Sequence, residues 1–205
     1  MRIRQPRIVM DVSKLPDVCF GPRDIMWWGT VGFMLIEGFT LVLCAVVYVY
    51  LQQNFAAWPP PGTPRPSLGI PSVQVAVMLA SLPLAAWTKR SAYAFDLQRV
   101  RIGLTSAAVI GAVCVGLRAA ELLVSLNVKW DTNAYGSAQW LVVGSHATLL
   151  LVEWAETVGL ALLFWLAPVE RKHFSDGVDA VDYWYFMVAA WIPLAVLCYL
   201  VPRWI

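Results

Sequence analysis

Five apolar stretches, separated by short polar segments, run along this chain of 205 residues. In the first, residues 25–51, only Glu37 carries a charge. This length slightly exceeds the roughly 20 residues that a helix needs to cross the hydrocarbon core of a bilayer. The proline run within residues 58–62 cannot continue a helix and favours an extended exit. The pattern therefore predicts a membrane span followed by a Pro-rich loop.

The remaining apolar stretches predict four more spans, which makes the fold class all-α: an integral membrane bundle of five transmembrane helices. Pro71 suits the first turn of the second helix, Pro83 is expected to kink it, and Pro168 should end the fourth. A polar loop over residues 169–182 would lead to the fifth helix, with Asp182 as its N-cap. The predicted spans are residues 26–51, a helix from Pro71 past Trp87, residues 102–126, 138–167 and 183–201.

Basic residues are distributed unequally between the two sides that these spans define. Eleven would fall on the side of the N-terminus and three on the other side. Because cytoplasmic loops carry the excess of Lys and Arg, the N-terminus is predicted inside and the C-terminus outside. Residues 1–24 would form a cytoplasmic basic tail and residues 25–205 the membrane domain, in a bacterial cytoplasmic (inner) membrane. The inner residues are Arg2, Arg4, Arg7, Lys14, Arg23, Lys89, Arg90, Arg99, Arg101, Arg171 and Lys172; the outer ones are Arg65, Lys129 and Arg203.

Composition supports the membrane class and narrows the chemistry. Hydrophobic residues make up 60% of the chain, and the net charge of +2 gives no reason to expect a nucleic-acid partner. The four cysteines are scattered, without metal or redox spacing. His146 and His173 are the only histidines, and the mostly helical segment between them keeps them too far apart to ligate one haem. The chain is therefore predicted to bind no cofactor and to perform no catalysis by itself.

Six polar side chains are predicted to lie at membrane depth, where a charge costs about 2.5–3.5 kcal/mol and should face protein or a cavity. One interpretation is a proton relay or a polar site for lipid headgroups. The other is a structural cluster in which Arg118 balances one or two carboxylates: Glu121, three residues away on the same helix face, or Glu153 on the next helix. The six residues are Glu37, Arg118, Glu121, His146, Glu153 and Glu156.

A second polar group precedes the fifth span. His173, Asp176, Asp179 and Asp182 could collect protons at the inner surface, because carboxylates and imidazoles exchange protons readily near neutral pH. Alternatively, they belong to a solvated loop whose acids cap the following helix.

Six short segments, in order along the chain, resemble subunit III of the haem-copper oxidases (the cytochrome c oxidase type) in its five-helix form. Three positions depart from that family's motifs: Leu149 and Tyr185 replace histidines, and Val188 replaces an aspartate. Glu153 and Glu156 look like additions. The matching segments are Trp28-Gly29 with Glu37, residues 57–62 with Leu68 and Pro71, Arg118 with Glu121, Ala134-Tyr135-Gly136-Ser137, His146, and Tyr183-Trp184-Tyr185-Phe186 through Trp191 and Tyr199.

The resemblance implies a non-catalytic accessory subunit of a respiratory oxidase. Such a subunit holds no redox centre, packs beside catalytic subunit I and with subunit II, and leaves haem and copper to those partners. It binds phospholipid between its helices and helps to sustain proton uptake and turnover. Glu37 matches the family's buried carboxyl group.

Other functions remain open at this point. The chain could be a relative that accompanies a nitric oxide reductase or another membrane complex. It could instead be a small proton-coupled transporter that uses Glu37, Glu153 and Glu156 as a relay, or a purely structural scaffold, since a fold does not fix a function.

Overall fold

Five long helices form the protein in a computed structural model that describes residues 25–126 and 128–204. All five are long and apolar enough to cross a membrane, and the described residues include no strand. The all-α, five-span prediction is therefore confirmed, whereas the orientation and the basic tail, residues 1–24, stay predictions because the tail lies outside the described residues. The helices are α1 Ile25–Gln53, α2 Gly69–Tyr93, α3 Leu97–Ser125, α4 Ala134–Leu166 and α5 His173–Trp204.

The helices alternate in direction and pack into one bundle. α1 packs on α4 and α5, α2 packs on α3 and α5, and α3 packs on α4. We call the end at which α1 begins the near end; the α2–α3 and α4–α5 turns lie there. The far end holds the longer connections, residues 54–68 and 126–133. α3 and α5 each include a π-helical turn close to the far end, at Glu121–Ser125 and Val196–Leu200.

The Pro-rich connection folds back against the far end of the bundle. Trp58 is buried and packs edge-on against Tyr48 of α1 and Tyr135 of α4, with ring centroids 5.5 and 5.1 Å apart. Arg203 donates a hydrogen bond to the Pro66 carbonyl oxygen at 2.6 Å. Trp58 thereby anchors the loop to the protein.

α5 begins ten residues before its predicted start, which corrects two predictions. His173, Asp176, Asp179 and Asp182 lie on this helix and not in a loop. Asp182 is accordingly not an N-cap; it forms an ion pair with Lys89 of α2. Acidic residues spaced three apart resemble a solvated loop in a hydropathy profile, although the same spacing places them along one side of a helix.

The connection between the second and third helices is also shorter than the predicted spans imply. Lys89 and Arg90 belong to the last turns of α2, and Arg99 and Arg101 belong to the first turns of α3. Only residues 94–96 connect the two helices. Asp96 caps α3 by accepting a hydrogen bond from the Arg99 N–H at 3.1 Å.

Gly136 allows the first turn of α4 to approach the preceding loop. Its N–H donates to the side chain of Asn133, the N-cap, at 2.8 Å. A Cβ at this position would overlap the Lys129 carbonyl group. We expect Gly136→Ala to destabilise the protein by about 1–3 kcal/mol, because backbone must shift to admit the methyl group.

Thermal unfolding in mild detergent would measure this effect. Gly144→Ala is the matched control: Gly144 lies on the same helix, and its Cβ would meet nothing within 4 Å. The control should unfold at or slightly above the wild-type temperature, since alanine favours helix. Equal melting temperatures for the two variants would contradict the packing role of Gly136.

Candidate functional site

A buried cluster around Arg118 joins α3, α4 and α5 toward the far end. Arg118 Nη1 lies 2.6 Å from Glu121 Oε2, and the two side chains are 2% and 1% exposed. The Tyr199 hydroxyl donates to the other Glu121 oxygen. The guanidinium carbon lies 3.6 Å from the centre of the Trp191 ring, a cation–π contact. We call Arg118, Glu121, His146, Trp191 and Tyr199 the arginine cluster.

His146 closes the arginine cluster from α4. Its Nε2–H donates to the Met187 carbonyl oxygen at 3.2 Å, and Nδ1 lies 3.5 Å from Arg118 Nη2. The imidazole and the Trp191 ring lie 4.7 Å apart between centroids. With one nitrogen donating and the other accepting, His146 acts as a neutral imidazole. Its contacts are those of a packing element between three helices.

The predicted Arg118–Glu121 pair is therefore confirmed, and the alternative pairing with Glu153 is wrong. Glu153 lies seven residues beyond His146 on α4, about 10 Å farther along the helix axis. Its Oε1 accepts a hydrogen bond from Thr157 at 3.0 Å. The sequence thus predicts that the six polar side chains lie together at membrane depth, whereas the structure divides them between two separate sites.

The second site joins α1, α4 and α5 and contains three glutamates. Glu37 is buried on α1 and accepts a hydrogen bond from the Tyr183 hydroxyl of α5. Glu153 is buried on α4, whereas Glu156, one turn further on, is exposed. Glu156 lies near both Glu37 and Glu153.

Glu153 and Glu156 face a groove of about 740 Å³ that runs toward the near end; we call it the carboxylate groove. Asp176 and Asp179 of α5 line it as well, so two of the four predicted surface residues join the membrane-depth glutamates. Its lining comprises Ile25, Met26, Gly29, Thr30 and Phe33 of α1; Glu153, Glu156, Gly159, Leu160 and Leu163 of α4; and Asp176, Asp179, Ala180 and Tyr183 of α5.

The other two predicted surface residues lie elsewhere. Asp182 pairs with Lys89 of α2, and His173 Nδ1 accepts a hydrogen bond from the Glu170 N–H at 2.9 Å. Glu170 pairs with Lys172 at 2.8 Å, and the hydrogen bond from Lys172 lowers the pKa of the Glu170 carboxyl group. The four residues therefore do not form one surface group.

A small cavity of about 30 Å³ adjoins the carboxylate groove between α2, α3, α4 and α5. Glu153 lines both spaces, and the hydroxyl side chains Ser81, Thr88 and Thr157 line the cavity. Trp184 Nε1–H donates to Ser81 Oγ at 2.8 Å. The volume can hold a water molecule, and Glu153 separates it from the groove. The sequence reasoning missed these hydroxyl groups; only Thr157, four residues after Glu153, gave a local signal.

The three positions that depart from the subunit III motifs are filled by packing groups. Leu149 packs against the core, Val188 is buried within it, and the Tyr185 ring lies 5.9 Å from Lys89 Nζ. The hydrogen bond between His146 and the Met187 carbonyl group supplies a polar contact between α4 and α5. Cys44, Cys114 and Cys198 are buried free thiols. Over residues 25–126 and 128–204, no three His, Cys, Asp or Glu side chains form a possible metal site.

Comparison with known proteins finds similar chains that share one name. No protein-family profile matches the chain. It is 25% identical over 187 residues to cytochrome c oxidase subunit 3 of Synechocystis sp., which covers 88% of this chain and 77% of that protein. It is 28% identical over 147 residues to the protein of the same name from Xenopus laevis, covering 69% and 54%. The protein of that name from Lycodon semicarinatus is 24% identical over 185 residues, covering 87% and 70%.

These matches confirm the resemblance drawn from the motifs. The chain is a divergent relative of the cytochrome c oxidase subunit III family. It spans most of the Synechocystis and Lycodon proteins and about half the length of the Xenopus protein.

Proposed function

We propose that the chain is a non-catalytic accessory subunit of a respiratory haem-copper oxidase in a bacterial cytoplasmic membrane. Catalytic subunit I, together with subunit II, would hold the haem and copper, and this chain would stabilise that core. The observation that carries the proposal is the similarity to proteins named cytochrome c oxidase subunit 3 over 88% of the chain. The buried contacts agree with it, because two motif positions, Arg118 and Glu121, form the ion pair of the arginine cluster.

We further propose that the two polar sites have different roles. In the arginine cluster the guanidinium pairs with Glu121 and lies on the Trp191 ring inside the bundle, although Arg118 Nε and Trp191 Nε1 have no hydrogen-bond partner; we assign this cluster to packing. The carboxylate groove has acids from its mouth, at Asp176 and Asp179, to Glu153 beside the internal cavity. A series of carboxylates can pass protons inward and also present hydrogen-bond acceptors to phospholipid headgroups. In this proposal, the carboxylate groove supports proton uptake during electron transfer to oxygen.

Affinity purification of the chain from its native membrane in mild detergent tests the accessory role. We expect two larger oxidase subunits to co-purify in stoichiometric amounts and to contribute haem bands to a reduced-minus-oxidised spectrum. A colourless preparation of this chain alone would contradict the proposal. Terminal-acceptor assays with oxygen and with nitric oxide on the same preparation would separate an oxidase from a nitric oxide reductase complex.

A proton-coupled transporter is the second candidate, and one observation favours it. Glu153 separates the outer groove from the internal cavity, which is the position of a carboxylate that takes a proton from one space and gives it to another. A transporter should fold alone or as a homo-oligomer and should move protons in vesicles without haem-bearing partners. Loss of the purified chain's stability in the absence of such partners would exclude it.

A further inference from the structure

Glu156 is a carboxylate in an unusual position for a membrane helix. It lies ten residues before the end of α4, about 15 Å along the helix from Leu166, and its side chain is exposed. An ionised carboxylate in contact with lipid inside a membrane is costly. A positive charge beside Glu156 would therefore stabilise it, and that charge must come from outside the described bundle.

The described lining of the groove offers no such charge. None of the residues that line the carboxylate groove is basic. Five basic side chains of the near end have other contacts: Lys89 with Asp182, Arg99 with Asp96, Arg101 with the Phe164 carbonyl oxygen and the Trp165 ring, Arg171 with the Phe95 ring, and Lys172 with Glu170. Arg90 is exposed on α2, which contributes no residue to the groove. If one of these five side chains paired with Glu156, it would have to give up the contact that it already makes.

The shape of the groove indicates what could bring the charge. Apolar side chains form its walls, including Phe33 of α1 and Leu160 and Leu163 of α4. Gly29 and Gly159 line it from opposite helices, and a Cβ at either glycine would meet nothing within 4 Å. Open glycine positions of this kind let another helix approach closely in a membrane. The walls fit an apolar helix, and the acids fit one basic side chain on it.

We infer that the carboxylate groove receives a transmembrane helix of the haem-bearing partner chain, and that a Lys or Arg side chain of that helix lies against Glu156. This inference rests on the proposed accessory function. A buried or half-buried pair of this type fixes register and partner choice, because a wrong partner leaves the carboxylate unpaired. The groove is then an assembly surface of the subunit and not only a proton entry.

Site-specific photo-crosslinking in the purified complex tests the inference. A benzophenone amino acid replaces Leu160, inside the groove, or Leu162, which is exposed on another face of α4. We expect the Leu160 probe to label a transmembrane peptide of the haem-bearing subunit that contains a Lys or Arg. The Leu162 probe should not label that peptide. Glu156→Gln should lower the yield at Leu160 several-fold, whereas Glu170→Gln, at an exposed surface pair, should leave it unchanged.

A charge exchange gives the second measurement. Glu156→Lys should reduce recovery of the complex, and Lys or Arg→Glu at the labelled partner residue should restore it. Labelling at Leu160 of lipid alone, of residues 1–24, of a second copy of this chain or of a partner peptide without a basic residue would overturn the inference. If haem-bearing subunits co-purify but are not labelled, the inference fails and the accessory function stands; if none co-purifies, the accessory function fails first.

Discussion

Arg118→Leu should destabilise the protein by about 3–5 kcal/mol and should strongly reduce the amount of chain recovered in folded form. The substitution leaves Glu121 as a carboxylate that is 1% exposed and has no cation beside it. It also removes the guanidinium from the Trp191 ring and from His146 Nδ1. Because these contacts join α3, α4 and α5, the whole far half of the bundle should loosen together.

A double variant separates loss of charge from loss of packing. Arg118→Leu with Glu121→Leu removes both charges, and replacing a complete buried pair with apolar groups is often close to neutral. The double variant should therefore recover much of the stability that the single variant loses. Lys172→Leu is the control, because the Lys172–Glu170 pair is exposed and should matter little. The melting temperature and the yield of monodisperse protein in detergent measure these effects. A single variant as stable as the wild type would show that Glu121 does not need Arg118 as its counter-ion.

Local spacing explains which parts of the arginine cluster could be predicted. Arg118 and Glu121 are three residues apart on one helix, so their contact follows from helix geometry alone. Tyr199 and Trp191 reach the same cluster from α5, far away in sequence. Their positions depend on the rotation of α5 against α3, which no periodicity of apolar residues fixes when most helix faces are apolar.

The acidic residues of the carboxylate groove show the same limit on prediction from the sequence. Hydropathy correctly predicts five spans, since length and composition decide them. The start of α5 could not be placed in this way, because charged residues at a membrane boundary are compatible with a loop and with a projecting helix end. Only once α5 begins at His173 do Asp176 and Asp179 lie in register with Glu153 and Glu156 of α4. The site is thus a consequence of one helix boundary that the sequence leaves open.

Under the proposed accessory function, Glu37→Ala should leave the oxidase complex assembled but shorten its working life during turnover. Glu37 contributes one hydrogen bond between α1 and α5, and losing it leaves the Tyr183 hydroxyl without this partner, at a cost of about 1–3 kcal/mol. That cost is small for a bundle in which α1 also packs along α4. Under the proposed function, removal of the carboxyl group should slow proton supply, so that activity declines several-fold faster over repeated catalytic cycles.

Two further variants identify which property of Glu37 matters. Glu37→Gln keeps a hydrogen-bond acceptor for Tyr183 but cannot exchange a proton, whereas Tyr183→Phe removes the hydrogen bond and keeps the carboxyl group. A proton role predicts rapid loss of activity in Glu37→Gln and nearly wild-type endurance in Tyr183→Phe, with equal haem content in both complexes. If Tyr183→Phe loses activity early and Glu37→Gln endures, the pair serves to hold α1 against α5, and the proton path would have to begin at Glu153 or Glu156 instead.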